Sequence, residues 1–454
     1  MRKSVGNILI MLFFSTIAFS QGIDFQHITF DEAIQQAKQQ DKLIFIDFYT
    51  QWCGPCKKLA AGSFKDEAVG EYYNSHFVII KLDAEKEGLA IAQKYSVNAY
   101  PTLMFVDSEG NIIYRGTGSS HGRDMVGFGK EALKSLGAEY NLENLQAMFP
   151  NKLNDEAFLK MYCRKMPEFG VNPNQGIEAW LKVQTEITEN GVDMMRFLLK
   201  NNRYLLCGGK AEEILSANLD SFLKEGNERE QVEISRLKNL MIQSTLEEAY
   251  KLQSSELMRV FINASRELQK KTRRDQKLPY YELEYYLLKK DYPTFKIQAI
   301  SYIDSLINVK PLEQIKQEDR EFYDRYKRAN KGNESAQYKI LLKKYREGQQ
   351  ANDMAKEIVK IGHFFLQYAE NEEDYTRLAH WINYCYQLIP GKYSVENLQA
   401  NLLYKQGNTA KAIELKTSAL VNTPLTEKKR VNIQFELEQM KQGKGLMTAA
   451  VNGK

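Results

Sequence analysis

The chain has 454 residues, of which 43% are hydrophobic and 26% charged, a composition typical of a folded protein with room for two or three domains. With 62 basic and 58 acidic side chains the formal charge is +4, and this near balance does not indicate nucleic acid or another polyanion as a partner. We interpret the short basic run at 270–274 as a solvated helix end rather than a nucleic-acid patch.

The first 20 residues have the pattern of a signal peptide. Arg2 and Lys3 form its charged start, Ile8 to Phe19 are an apolar stretch of twelve, and Ser20 ends a short cleavage pattern of small residues. Twelve apolar residues are fewer than the about 20 needed to span a bilayer. We therefore expect export to the periplasm, a mature chain from residue 21, and no membrane span after cleavage.

The next segments predict the start of an α/β domain. Residues 23–28 can form a first short strand, and Thr29 to Glu32 is a capping-box pattern that opens a helix over 32–39. Leu43 to Tyr49 is a continuous apolar run, as expected of a central strand covered on both faces.

Asp47 interrupts this apolar run. Burial on a central strand would raise the pKa of its carboxyl and make it a candidate proton carrier. The alternative is an exposed acid on a half-buried strand, and we favour the buried acid because the rest of the run is apolar.

The strand leads into Trp52-Cys53-Gly54-Pro55-Cys56-Lys57. A helix beginning at Cys53 directs unpaired backbone N–H groups and its positive dipole end toward the first sulfur, which favours the thiolate. Cys56 lies one helical turn later, where it can attack a mixed disulfide formed at Cys53. The pair is therefore a candidate dithiol/disulfide couple for thiol exchange.

The alternative use of two such cysteines is half of a zinc site, which requires a second ligand pair. Cys163, Cys207 and Cys385 are single, and the five histidines form no pair at helical spacing. We predict redox chemistry with no metal and no other cofactor. Sequence alone leaves a Cys163–Cys207 disulfide open, and we interpret Cys385 as a buried structural thiol.

Short elements are predicted after this motif. They are a strand within 78–83, a helix over 88–95, a strand over 103–106, a hairpin turn at 108–111, a strand from 112 and a closing helix over 124–136.

The motif from Trp52 to Lys57 resembles the signature of the thioredoxin superfamily, and the resemblance extends over about residues 25–137. It is most similar to the periplasmic thiol-disulfide interchange branch. The resemblance implies an α/β thioredoxin-like domain over 21–137, with a central mixed sheet flanked by helices. It also implies that Asp47 moves a proton to and from Cys56. Lys81 matches the family's lysine on the neighbouring strand and could pair with Asp47, although from sequence alone it could equally be solvated.

Tyr100-Pro101 matches the loop that carries a cis-proline in this family, so we expect a cis bond there. The resemblance implies a substrate-binding surface that could pair with an extended polypeptide segment. Its residues would be Trp52, Gly54, Pro55, Tyr100 and Pro101. Tyr49 and Tyr100 differ from the residues common in the family, which leaves substrate preference open.

Strand signals disappear beyond residue 137, and apolar residues recur at helical spacing. We predict an all-α region, with degenerate helix pairs over 138–348, for example within 176–199 and 280–306. A more regular array follows over 349–442, including a polar capping helix over 422–442, and 443–454 would be a flexible tail.

A repeat of 34 residues supports the array. The residues that fit the tetratricopeptide pattern are Ala400, Leu403, Gly407, Ala412, Ala419 and Pro424. The same slots shifted back by 34 positions fit more weakly, in a segment whose apolar residues step by three and four over 354–368 and 378–389.

The leading hypothesis is an exported thiol-disulfide oxidoreductase that reduces or isomerises disulfides in protein substrates. The helical region would bind a substrate or protein partner, and a membrane or periplasmic electron donor would recharge the dithiol. The direction of electron flow stays open. The alternative is a scaffold protein in which the helical array carries the function and the thioredoxin-like domain is accessory.

Overall fold

The computed structural model describes residues 22–95, 97, 99–118, 124–136, 140–272, 277–424 and 428–445. The predicted signal peptide, Arg273 and Arg274 of the basic run, and most of the predicted tail lie outside these ranges. The chain divides into two compact units, one ending at Ile187 and the other beginning at Thr188. The predicted boundaries after 137 and 348 stay predictions.

The first unit is built on a mixed four-stranded sheet in the order β2-β1-β3-β4, where β1 and β2 are parallel and the other pairs are antiparallel. The predicted fold class, an α/β thioredoxin-like domain followed by a long all-helical region, is confirmed. The strands are β1 (Leu43–Tyr49), β2 (Phe77–Asp83), β3 (Thr102–Val106) and β4 (Ile112–Thr117).

Helices cover both faces of this sheet. Helices α1 and α4 pack on one face, and α2, α3 and α5 on the other. Their bounds are α1 (Phe30–Gln40), α2 (Gly54–Ala61), α3 (Glu67–His76), α4 (Leu89–Lys94) and α5 (Met125–Ser135). The predicted capping box opens α1, since the Thr29 hydroxyl accepts from the Glu32 N–H at 3.2 Å and Glu32 Oε2 accepts from the Thr29 N–H at 2.7 Å.

Successive side chains of β1 point to opposite faces, because a strand has a period of two. Ile44, Ile46 and Phe48 enter the core with α1, whereas Leu43 and Phe45 enter the core with α2. Asp47 follows the second set. Its carboxyl therefore points into the layer that contains the helix of the two cysteines.

The predicted first strand at 23–28 is wrong. Only Gln26 forms a bridge, to Ile80 of β2. The Ile23 N–H donates instead to the carbonyl of Phe64 at 2.7 Å, outside β2, so the two ends of the segment have different partners. The backbone just before this segment packs closely against α3. A Cβ built on Gly70 of that helix would lie only 2.2 Å from the carbonyl oxygen of Gly22.

A short helical segment completes the first unit. It comprises α6 (Leu142–Met148), α7 (Glu156–Lys165), α8 (Asn174–Val183) and a 3₁₀ helix at Met166–Phe169. The ring of Tyr114 on β4 lies 6.2 Å from that of Phe169 and 5.1 Å from that of Phe128 on α5. The segment thus packs against the edge strand of the sheet.

The second unit is helical throughout its described residues. Its helices are α9 (Val192–Lys200), α10 (Lys210–Glu225), α11 (Glu228–Lys251), α12 (Ser255–Thr272), α13 (Leu278–Leu288), α14 (Tyr292–Asn308), α15 (Leu312–Ala329), α16 (Ala336–Arg346), α17 (Gln349–Gln367), α18 (Glu372–Leu388), α19 (Tyr393–Lys405), α20 (Thr409–Asn422) and α21 (Lys428–Lys441). The predicted pair at 280–306 corresponds to α13 and α14. The pair predicted at 176–199 corresponds to α8 and α9, which the division after Ile187 assigns to different units.

The apolar steps predicted within 354–389 pack into one core between α17 and α18. Ala400, Ala412 and Ala419 are fully buried, as close helix packing requires. Lys416 is also fully buried. Its ammonium donates to Asn401 Oδ1 at 2.5 Å and pairs with Glu436, which joins α20 to α19 and α21. The tetratricopeptide assignment itself stays a prediction.

No helix among the described residues is both long enough and apolar enough to cross a bilayer.

We predict that Ala412→Leu destabilises the C-terminal helices, because the added side chain has no space at a fully buried position. Overpacking of this kind costs about 1–3 kcal/mol and in a repeat array acts on neighbouring units. Limited proteolysis should cut the chain beyond about residue 353 faster than in the wild type. The unit ending at Ile187 should keep its resistance.

Ala410→Leu is the matched control, since Ala410 is exposed on the same helix. Equal cleavage of the two variants would contradict the repeat phase, and accelerated cleavage of the first unit would contradict its independence.

Candidate active site

Cys53 and Cys56 lie at the start of α2 and are joined by a disulfide. Cys53 is the N-cap residue, and its Sγ accepts from the Cys56 N–H at 3.1 Å. Pro55 occupies the first turn of the helix, where its missing N–H needs no partner. The N-terminal backbone of α2 therefore already binds the first sulfur, which is the arrangement that the sequence predicts.

Asp47 lies in direct register with Lys81 on the parallel pair β1 and β2. Asp47 is 1% exposed, and the Lys81 Nζ is 3.1 Å from its Oδ2. The contact is an ion pair, and by the geometry of ordinary hydrogen bonds neither carboxylate oxygen has a further partner within the described residues. The alternative of an exposed Asp47 is therefore wrong, and Lys81 does lie beside Asp47 while its own side chain stays partly exposed.

Burial raises the pKa of the Asp47 carboxyl above its ordinary value, and the positive charge of Lys81 opposes this rise. The desolvation effect is the larger of the two. Asp47 is thus a buried acid whose protonated form is favoured relative to water, which is what a proton carrier at moderate pH requires.

The Lys81 ammonium is surrounded by aromatic rings. Its Nζ lies 4.4 Å from the ring centroid of Tyr49, 5.5 Å from that of Phe25 and 5.8 Å from that of Phe64. The side chain keeps 26% of its surface exposed. The contacts of its ammonium with these rings and with Asp47 fix the position of the charge.

Trp52 and Tyr100 form an aromatic surface beside the disulfide. Their ring centroids are 6.0 Å apart in an edge-to-face arrangement, and Trp52 is 42% exposed. The Tyr100–Pro101 peptide bond is cis, as the sequence predicts. A Cβ built on Gly54 would meet no atom within 4 Å, so this residue faces open space. The role of these residues in substrate binding stays a prediction.

Two acids behind Trp52 were missed by the sequence analysis. The Trp52 indole donates to Glu85 Oε2 at 2.8 Å, and Asp83 Oδ1 accepts from the Glu85 N–H at 3.1 Å. Asp83 is buried at the end of β2, in register with Tyr49, and burial raises the pKa of its carboxyl. The predicted pairing of the strands was the available signal. If β2 runs parallel to β1, its last residue, Asp83, must lie next to Tyr49.

The other three cysteines are free thiols. Cys207 and Cys385 are buried, which confirms the structural interpretation of Cys385, and no Cys163–Cys207 disulfide is present. Burial raises the pKa of Cys163 and of Cys385 to about 12, which keeps these thiols protonated and unreactive. In the part of the chain that the structure describes, no three His, Cys, Asp or Glu side chains form a group suited to a metal ion.

Comparisons with known proteins agree with this geometry. The sequence profile of the thioredoxin family, described as Thioredoxin, matches residues 23–128. Thioredoxin H5 of Arabidopsis thaliana is 38% identical over 90 residues, which are 20% of this chain and 71% of that protein. Thioredoxin-T of Drosophila melanogaster is 38% identical over 74 residues, 16% of this chain and 44% of that protein.

A solution structure of a candidate disulphide-isomerase from Bacteroides thetaiotaomicron is 43% identical, covers 26% of this chain and 97% of that one, and has a TM-score of 0.24. The chain spans less than half the length of the Drosophila relative. The match of the profile to residues 23–128 covers both cysteines and the buried Asp47–Lys81 pair, and the Arabidopsis protein is matched over 71% of its own length. Through these residues the chain belongs to the thioredoxin family.

Proposed function

We propose that this protein is an exported thiol-disulfide oxidoreductase that reduces or isomerises disulfides in other proteins. The observation that carries the proposal is the Cys53–Cys56 disulfide at the N-terminus of α2, with the Cys53 sulfur accepting a backbone N–H. The reduced pair is the active form for reduction. Export is supported by the signal-peptide pattern of the first 20 residues.

In the first step, the Cys53 thiolate attacks one sulfur of a substrate disulfide. A Cys53–substrate bond forms, the substrate S–S bond breaks, and the second substrate sulfur leaves as a thiolate that takes a proton from water. Helix α2 stabilises the attacking thiolate, since the Cys56 N–H and the helix dipole both favour negative charge at this sulfur.

In the second step, Cys56 attacks the Cys53 sulfur of the mixed disulfide. The Cys53–Cys56 bond forms, the Cys53–substrate bond breaks, and the first substrate sulfur leaves as a thiolate that takes a proton from water, so that two electrons have passed to the substrate. Cys56 must lose a proton to attack. Asp47 is the proposed acceptor, because its buried carboxyl lies in the layer under α2 and has a raised pKa.

The substrate surface follows from the exposed groups around the disulfide. Trp52 and Tyr100 offer an aromatic contact, and Gly54 leaves space for a polypeptide to approach the cysteines. An extended segment of a disulfide-containing protein fits this surface better than a small rigid ligand would.

A dithiol protein of the membrane or periplasm would return two electrons to the Cys53–Cys56 pair, and the helical unit would recruit a substrate or partner. The reduction potential of the pair separates the two directions of flow, since about 30 mV corresponds to about 1.4 kcal/mol for two electrons. A value near that of thioredoxin, about −270 mV, supports a reductase.

The second candidate is a scaffold whose helical unit carries the function. The long described helical array favours it. Cys53→Ser separates the candidates in a strain that lacks the native protein. A scaffold keeps its biological role without the thiol, whereas an oxidoreductase loses it.

We predict that Cys53 is alkylated before Cys56 when the reduced protein meets limiting iodoacetamide near neutral pH. Exposure does not distinguish the two residues, at 2% and 3%, so the preference must come from the helix N-terminus acting on Cys53. Peptide mass spectrometry measures the order of labelling. Earlier labelling of Cys56 would reverse the assigned roles.

We predict that Asp47→Asn slows insulin reduction by up to about 10²-fold, the lower end of the range for general acid–base catalysis. The variant keeps the shape of the side chain but cannot accept the Cys56 proton. Because the pKa of Asp47 is raised, the wild-type rate should show a limb that rises with pH above the ordinary aspartate value of about 3.9, and the variant should lose it. Asp31→Asn, at an exposed acid of α1, is the control and should retain the wild-type profile.

We predict that Lys81→Met moves this limb to higher pH. Lys81 lowers the pKa of Asp47, so its removal leaves the burial effect unopposed and raises that pKa further. Methionine keeps an apolar stem among the aromatic rings. Initial rates over a pH series measure the midpoint of this limb. A midpoint that is unchanged, or lower than in the wild type, would contradict an effect of Lys81 on the pKa of Asp47.

A further inference from the structure

Residues 320–346, named here the basic hairpin, comprise the C-terminal half of α15, the connecting turn and α16. They contain nine basic and three acidic side chains, a net charge of +6. The whole chain has a net charge of only +4, so the rest of it is slightly acidic. Positive charge is therefore concentrated in this one projecting element.

The basic side chains of the hairpin are all exposed. Within the described residues, only Lys339 has a carboxylate within ion-pair distance, with Nζ 3.9 Å from Glu334 Oε2. The complete set is Arg320, Arg325, Lys327, Arg328, Lys331, Lys339, Lys343, Lys344 and Arg346. The hairpin thus presents nearly all of its positive charge to solvent.

Acids next to the hairpin are engaged elsewhere. Glu318 Oε2 accepts from Lys310 Nζ at 2.6 Å, and Glu347 Oε2 accepts from Lys392 Nζ at 2.6 Å. Asp319 accepts from two backbone N–H groups at the start of α17. These contacts leave the carboxylates on either side of the hairpin with partners other than its own cations.

An aromatic cluster holds the two helices of the hairpin together. The ring of Tyr345 lies 4.9 Å from that of Phe322 and 4.7 Å from that of Tyr326, and Tyr326 also stacks near Tyr338 at 5.9 Å. No residue of α16 is buried. Every described side chain of α16 is partly or fully exposed.

The exposed surface of α16 carries an apolar residue among lysines. Ile340 is 63% exposed, and Lys343 and Lys344 neighbour it at helical spacing. An exposed isoleucine surrounded by long basic side chains is the pattern of a helix that lies on an anionic lipid surface, with the apolar residue entering the headgroup region.

The shape of the site favours a bilayer over an acidic polypeptide. The cations are spread along two helices, and α16 alone extends about 16 Å. A cavity beside the middle of α15 reaches the start of the hairpin, where Arg325 lines it together with the acids Glu318, Asp319, Glu321 and Asp353, so this cavity does not suit an anion. The dispersed positive charge outside the cavity matches the dispersed negative charge of lipid headgroups.

We propose that the basic hairpin is a docking surface for an anionic lipid bilayer. It is independent of the dithiol, and it brings the protein to a membrane surface by charge and by shallow entry of Ile340.

The test is co-sedimentation of the full chain with vesicles of phosphatidylglycerol and phosphatidylcholine in equal amounts, with vesicles of phosphatidylcholine alone giving the background. We expect Lys343→Glu combined with Lys344→Glu to weaken binding to the anionic vesicles by at least about tenfold, since each surface charge contributes appreciably to such binding. Raising the ionic strength from about 0.1 M to about 1 M shortens the Debye length from about 10 Å to about 3 Å and should release the wild type.

Lys200→Glu combined with Lys224→Glu is the matched control, because these exposed lysines also lie in the last turns of their helices, α9 and α10. The control should bind like the wild type, and both double variants should keep wild-type insulin reduction. Equal binding by the two double variants, or equal binding of the wild type to neutral and anionic vesicles, would overturn the proposal. Failure of insulin reduction in the wild type would instead contradict the oxidoreductase.

Two further measurements separate a bilayer from a soluble polyanion. Ile340→Trp should shift its emission to the blue on anionic vesicles relative to the wild type, and an unchanged emission would overturn docking through this face. Polyglutamate at equal charge concentration should bind more weakly than the vesicles. Equal or tighter binding would assign the surface to an acidic polypeptide and overturn the lipid proposal.

Discussion

The ion pair between Asp47 and Lys81 is the interaction on which the candidate site depends, because it places a carboxylate inside the layer that carries α2. A lone charge in that position would be strongly unfavourable, and a fully hydrated one would have an ordinary pKa. Lys81 supplies the opposing charge from the next strand, and its side chain is partly exposed. The result is an acid that is buried but still able to exchange a proton.

The dithiol is held by rigid elements around this pair. Helix α2 begins at the cysteines, directly after the central strand, and its first turn contains Pro55 and the N–H that binds Cys53. Trp52 is fixed on one side by Tyr100 and on the other by Glu85. Sites built on strand and helix ends keep their geometry better than sites on long loops. The reactive sulfurs therefore change partners while the backbone around them stays in place.

Charge is distributed unevenly in the helical unit, and the overall balance conceals this. The polar cluster of Lys416, Asn401 and Glu436 uses charge inside the packing of the last helices. The basic hairpin does the reverse and exposes its cations on a projecting element. Net charge alone argued against a polyanionic partner. That argument overlooked the hairpin, because a sum over the chain carries no information about where the charges lie.

The cysteine pair and the first helix and central strand could be predicted from the sequence, because apolar runs of strand length, a capping box and the Cys-x-x-Cys spacing are local signals. Asp47 stood out within its apolar run, whereas the thioredoxin-like fold and the cis bond before Pro101 were implied by the resemblance of the cysteine motif to the thioredoxin superfamily. The prediction from sequence was wrong at 23–28, where a distant carbonyl of Phe64 competes for the backbone, and it overlooked Glu85. Such contacts join residues far apart in the chain, so no local pattern records them.

Only the tertiary structure decided whether Asp47 and Lys81 meet, since either residue could have been solvated on its own strand. It also decided the grouping of α6 to α8 with the sheet, through Phe169 against the edge strand. The exposure of Ile340 next to lysines also depends on the tertiary structure. In each case the physical reason is burial, which depends on what packs against a side chain and cannot be read from its neighbours in sequence.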